Sequence, residues 1–141
     1  RAARALFTQA FGNTLYASAP RYALARALTN DDVSAIVAES DGRVVGVAVF
    51  GLVAAAEGAA KMHGMAVAPE AQRHGVARAL IEAFVDELRK SGARFVLVEF
   101  PDATELAGGR TLLQHAKFSE ESRVKDYFRD GIALVFLRRD L

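Results

Sequence analysis

The sequence predicts a mixed α/β (α+β) fold: a mostly antiparallel central sheet with helices on both faces. Three features predict it. Asp41-Gly42 and Asp130-Gly131 each sit between apolar runs, and Asp-Gly supplies the positive φ that a two-residue hairpin turn needs. A long amphipathic segment, Gly75–Ser91, lies between apolar runs around Val67 and Val96. That is the order of a strand–helix–strand crossover, whose two strands run parallel. The 141 residues are 52% hydrophobic and 25% charged, which suits one domain over 1–141 and is too apolar for a mainly disordered chain.

The elements follow in order. Ala2–Phe11 carries Leu6, Phe7, Ala10 and Phe11 at helical spacing, with Gly12 as its stop. A second helix follows Ser18, with Pro20 in its first turn and Asn30 closing it. Ala35–Ser40, the Asp41-Gly42 turn and the run from Arg43 read as strand, turn, strand. Glu57-Gly58 repeats that turn before a third strand, about Ala59–Ala68, completing an antiparallel meander. In Gly75–Ser91, Val76, Leu80, Ala83, Phe84 and Leu88 share one face. Arg78, Glu82, Asp86, Arg89 and Lys90 share the other, read as a solvated face with Asp86 and Lys90 as an i,i+4 pair. Gly92 caps the helix. Phe95–Phe100 is a nearly unbroken apolar run, as in a strand covered on both faces. A shorter helix within Thr104–His115 leads to a last hairpin, with strands near Phe118–Phe128 and Ile132–Arg138.

Composition excludes several function classes. Lys+Arg 18 against Asp+Glu 17 leaves a net charge of +1, which gives neither nucleic acid nor a membrane surface as the main partner. There are no cysteines, so disulfides, zinc–thiolate sites and a cysteine nucleophile are absent, and a reducing, cytoplasmic setting is expected. The longest uncharged, mostly apolar run, Val44–Ala56, is 13 residues, short of the ~20 of a spanning helix. His63, His74 and His115 have no spacing suited to a shared metal, and no G-x-S-x-G hydrolase signature occurs.

The informative stretch runs from Met65 to Arg78 and joins the third strand to the long helix. Helix N-termini expose free N–H groups and a partial positive charge, so acids normally occupy the first turn. Here Arg73, His74 and Arg78 surround the helix start instead. Cations at a positive end cost free energy unless an anion binds, and Gly75 and Ala77 leave room for a phosphate to approach the amides. These residues read as a diphosphate cradle. The bland alternative is that Gly75 simply starts the helix while Arg73 and Arg78 are solvated. Walker A and Rossmann loops are excluded, because their glycines and lysine are missing.

Gln72-Arg73-His74-Gly75-Val76-Ala77 matches all three fixed positions of the Q/R-x-x-G-x-G/A motif of the GCN5-related N-acetyltransferase (GNAT) superfamily. The setting matches too: a hydrophobic strand ending Met-Ala-Val, then Ala-Pro-Glu, the motif and a long amphipathic helix. From Ala35 to Leu141, about three quarters of the chain, the order of elements resembles that family. The resemblance implies an acyl-CoA N-acyltransferase fold and acetyl-coenzyme A as the acetyl donor. It implies direct transfer, in a ternary complex, to a primary amine of a small molecule or protein. Met65, Ala66 and Val67 would offer backbone groups to the pantetheine arm, which adds like an extra strand where two strands splay. Arg73, His74, Gly75, Val76, Ala77 and Arg78 would hold the pyrophosphate, mainly through amides. The family's first strand would be missing or cut short at Arg1.

Acetyl transfer to an amine calls for a proton acceptor, oxyanion stabilisation and a proton for the leaving thiolate. Glu99 interrupts Phe95-Val-Leu-Val-Glu-Phe100. It matches the proton acceptor of members resembling ribosomal-protein N-terminal acetyltransferases; a solvated glutamate at a strand end is the competing reading. His63 is a second base candidate on the neighbouring strand, set against a structural histidine. Tyr127, in Lys125-Asp126-Tyr127-Phe128, matches the tyrosine that protonates the thiolate in many members; a tyrosine packed on the hairpin is its alternative. The chain departs from the family after Glu99. Pro101-Asp102-Ala103-Thr104 and Leu112-Leu113 replace the usual Asn and Tyr, and Lys117-Phe118 replaces Gly-Phe. A non-catalytic acyl-CoA sensor of the same fold is the rival reading, and it needs neither Tyr127 nor Glu99. The acceptor pocket would come from Ala2–Asn30 and Ser119–Asp130, and pairing through the last strands would make a homodimer.

Overall fold

Two amphipathic helices open the chain, α1 (Ala2–Phe11) and α2 (Ser18–Ala27). The computed structural model describes residues 1–11, 16, 18–29 and 32–141, so the stops expected at Gly12 and Asn30 lie outside the described residues. The meander follows as β1 (Ser34–Ser40), β2 (Arg43–Leu52) and β3 (Ala59–Val67). Asp41 and Gly42 both take positive φ, +50° and +74°, as a two-residue hairpin demands. A short 3₁₀ turn, Pro69–Ala71, leads to α3 (Val76–Lys90) and then β4 (Phe95–Pro101). α4 (Ala107–His115) precedes the hairpin of β5 (Ser119–Arg129) and β6 (Ile132–Asp140). The sheet order is β1-β2-β3-β4-β6-β5, antiparallel except for the β3–β4 pair. Among the described residues no helix is long and apolar enough to cross a membrane.

The sheet separates two cores. On one face Ile81, Phe84, Val85 and Leu88 of α3 and Leu113 of α4 bury against Phe50, Met62, Val96, Val98, Val135 and Leu137. Gly46 lets α3 come this close, since a Cβ there would lie 2.9 Å from Leu80 Cδ1 and 3.0 Å from Val76 Cγ1. On the other face Leu6, Phe7, Ala23 and Leu24 cover Val45, Val47, Val49 and Ala66.

β3 serves both cores, and a β-bulge shifts the phase of its alternation midway. Val49 pairs with Gly64 and Phe50 with Met62, leaving His63 as an extra residue. Before it, Ala60 and Met62 face α3. After it, Ala66 faces α1 and α2, and Gly64 abuts Phe7 and Pro20 so closely that a Cβ would lie 2.6 Å from Pro20 Cβ. A bulge bends and twists its strand. Here the parallel pairing runs only from Ala59↔Phe95 to Met62↔Val98. Beyond the bulge β3 and β4 part, opening a splay along one side of β3.

Four sequence expectations are corrected. The β2–β3 connection is a six-residue loop, 53–58, in which Gly58 takes φ +73°. Glu57 and Gly58 form the last turn of that loop rather than a two-residue hairpin, and the Glu57 carbonyl accepts from the Arg94 guanidinium at 2.9 and 2.6 Å. β4 is not covered on both faces. Val96 and Val98 are buried, but Phe95 and Leu97 are half-buried and Glu99 is exposed, because α1 and α2 pack over β1, β2 and β3. On α3 Asp86 pairs with Arg89 and Glu87 with Lys90, in place of Asp86–Lys90. Glu82 is not merely solvated, since it binds the buried Arg139 of β6 at 2.9 Å.

Candidate active site

The wide end of the splay meets the start of α3. Arg73 and Gly75 take φ of +63° and +80°, and left-handed residues set in a turn aim successive N–H groups at one concavity, a geometry that binds anions. α3 has no acid in its first turn and no side-chain cap, so its first N–H groups remain available. A Cβ built on Gly75 would meet no protein atom within 4 Å; the space above this residue lies outside the chain. Arg73, His74 and Gly75 are exposed, Val76 and Ala77 half-buried. Arg78 is exposed and makes one long contact, 3.9 Å, with Glu82. These residues fit a phosphate-bearing cofactor.

The open side of β3 leads away from this cradle. Ala68 N–H donates to Val45 O at 2.8 Å, and polar groups alternate sides along a strand. Ala66 therefore turns its N–H and C=O to β2, while Met65 and Val67 turn theirs into the splay. The Val67 carbonyl is already met there by Gln72 Nε2 at 3.2 Å. Of the three residues expected to offer backbone groups to a pantetheine arm, Met65 and Val67 do so by direction and Ala66 does not.

The narrow end lies at His63, four residues from Val67 or about 13 Å along the strand. His63 and Glu99 come together here with a residue that the sequence reading passed over. Lys61 Nζ donates to Glu99 Oε1 at 2.9 Å. Burial holds the half-buried His63 imidazole below its ordinary pKa, and Lys61 and then Arg26 push the same way against Glu99 and Asp32. Arg26, at the end of α2, itself pairs with Asp32. The depressed value favours the neutral imidazole, the form that can accept a proton. Lys61 precedes His63 by two residues, a same-face spacing visible in sequence. Its pairing with Glu99 depends on the parallel register, which no local pattern reports.

Tyr127 is not gathered with them. It lies in an irregular stretch of the edge strand β5, between the pairs Val124↔Leu134 and Arg129↔Ile132. β6 separates it from β4, two strand spacings or about 10 Å. Its ring is exposed and edge-on to Phe128 at 5.0 Å, and Phe128 is edge-on to the buried Tyr16 at 5.3 Å. Beyond Glu99, Asp102 binds Arg123 and Arg110, each at 2.9 Å. The Arg123 hydrogen bond foremost, with Arg110, holds its carboxyl below the usual range. Leu113 is buried in the core under α3.

The Acetyltransferase (GNAT) family model matches residues 1–107. Solved structures share the fold over nearly the whole chain. A GNAT-family protein from Desulfovibrio desulfuricans is 26% identical, with a TM-score of 0.86 over 97% of this chain and 89% of that one. A ribosomal-protein-alanine N-acetyltransferase from Brucella melitensis is 21% identical, TM-score 0.77, over 98% and 91%. The protein yncA from Salmonella typhimurium, solved with its cofactor acetyl-CoA, is 20% identical, TM-score 0.75, over 98% and 86%. No curated protein sequence matches.

Proposed function

The chain belongs to the GNAT acetyltransferase family, and from that premise we propose that it moves the acetyl group of acetyl-CoA directly to a primary amine of a small molecule or protein. The observation that carries this reading is the continuity of the site. A cradle with left-handed Arg73 and Gly75 opens onto the unpaired side of β3, which ends at His63 and Glu99. Met65, Val67 and the residues 73–78 would hold the donor, which supplies a thioester carbonyl.

The chain's own residues would then do two things. Glu99 or the neutral His63 takes a proton from the acceptor amine. The Tyr127 hydroxyl gives one to the departing sulfur; for Tyr127 the support is its position in the family pattern alone. A cytoplasmic location belongs to the same proposal and rests on the cysteine-free composition. One observation favours the sensor reading: Glu99 is engaged by Lys61. A thiol-release assay with acetyl-CoA over a broad panel of amines, beside a melting curve with acetyl-CoA, separates the two. Release of thiol with any amine supports the transferase. A melting shift without thiol release across the panel supports the sensor, and neither signal overturns both.

A further inference from the structure

The narrow end of the splay already contains a primary amine. The chain has four lysines, Lys61, Lys90, Lys117 and Lys125. Lys90, Lys117 and Lys125 are exposed, whereas Lys61 is half-buried. It sits on β3 two residues before the bulge, opposite Leu97, with its Nζ 2.9 Å from Glu99 Oε1. The unpaired side of β3 that runs from Val67 past Met65 ends at the bulge, two residues from Lys61.

We propose that Lys61 is an acetyl acceptor and that the chain acetylates its own Lys61 Nζ from bound acetyl-CoA. The inference rests on the donor reading above and adds a modification site to it. Glu99 takes a proton from the Lys61 ammonium, and the freed lone pair attacks the thioester carbonyl carbon. The C–N bond forms and the C–S bond breaks, its electron pair leaving with sulfur. Of the three ammonium protons, one stays on the amide nitrogen, one goes to sulfur as the thiol, and one passes through Glu99 to solvent. The product is a neutral amide that no longer forms an ion pair, so Glu99 is left as a free carboxylate at the cleft.

Spontaneous acetylation favours the exposed amines, so Lys90, Lys117 and Lys125 act as internal controls. The purified chain is incubated with acetyl-CoA and mapped by peptide mass spectrometry over time, with a parallel melting curve. The expected result is that Lys61 gains one acetyl group ahead of the other three, at a first-order rate independent of protein concentration. Glu99→Gln should slow this labelling by ~10²-fold or more, as loss of a general base does. Gly75→Val should remove it while leaving the three exposed lysines unchanged. If acetyl-CoA raises the melting temperature and Lys61 is labelled no faster than the exposed lysines, the proposal is overturned and the donor reading stands. Labelling whose rate grows with protein concentration overturns transfer within one molecule. With neither shift nor labelling, both readings fall.

Discussion

Gln72 ties the cradle to the strand it opens from: its side-chain amide donates to the Val67 carbonyl at 3.2 Å, on the side of β3 that β2 does not use. The bond fixes where the loop leaves the strand and so where the N–H groups of residues 73–75 point. Gln72→Ala removes one exposed hydrogen bond, worth about 1 kcal/mol net. The melting temperature without ligand should hardly move, whereas the acetyl-CoA Kd should rise roughly 3–10-fold. Titration calorimetry reads the difference, and an unchanged Kd would show that the bond does not shape the cradle.

Gly75 is left-handed and has open space above it. Gly75→Ala should cost about 1–2 kcal/mol of stability from the backbone alone. Because a Cβ meets no protein atom, any further loss belongs to the ligand. The melting shift produced by acetyl-CoA should vanish in this variant, and a full shift would place the phosphates elsewhere.

Glu99 and His63 compete for one role, and two variants decide it. The variant that removes the base should lower kcat/KM by ~10²–10⁴ at neutral pH and recover in part at high pH, where more amine is unprotonated. Glu99→Gln and His63→Gln are assayed across the pH range with acetyl-CoA affinity measured in parallel. Wild-type profiles for both would leave ordered water as the acceptor of the proton.

His63 also makes a prediction about stability. Its folded pKa lies below 6.5, the ordinary value, so the unfolded chain binds the extra proton and folding stability rises with pH in that window. The contribution is complete above about 6.5 and is lost as pH falls through the depressed value. Urea midpoints should therefore drop between neutral pH and about pH 5, and His63→Gln should flatten that slope. An equal slope in both proteins would assign it to other groups.

Arg139 and Glu82 should respond unequally to truncation. Arg139 is 4% exposed, Glu82 47% by side chain. Glu82→Ala strands a buried guanidinium, with Ala116 O at 3.2 Å as its remaining acceptor, and should cost about 3 kcal/mol. Arg139→Met fills the same space and releases a carboxylate that water can reach, so the cost should stay below about 1.5 kcal/mol. Denaturant unfolding measures both, and a reversed order would mean that the pair is not organised around Arg139.

The parts of this fold that were legible are those fixed by near neighbours. The apolar stripe from Val76 to Leu88 and the Asp41-Gly42 turn report local structure, and the helix and the turn formed where expected. Lys61–Glu99 and Glu82–Arg139 join residues 38 and 57 positions apart, and both depend on strand register and helix docking. The bulge did leave a trace. Met62 and Met65 both contact the α3 core although an odd spacing should put them on opposite faces, a slip in alternation that signals an extra residue. The Glu57-Gly58 expectation failed because one positive-φ glycine can end a long loop as readily as a tight turn.

The bulge also says something about what shaped the sequence. Met62 and Gly64 already face opposite sides of the sheet, as consecutive residues of a regular strand would. Without His63 the two halves of β3 would join in the orientation each now has, and both cores would keep their members. The strand could then continue its pairing with β4 past Val98. Selection for a durable sheet alone would have no use for this residue. A chain lacking His63 should therefore keep both cores and lengthen its ladder with β4, at the cost of the splay.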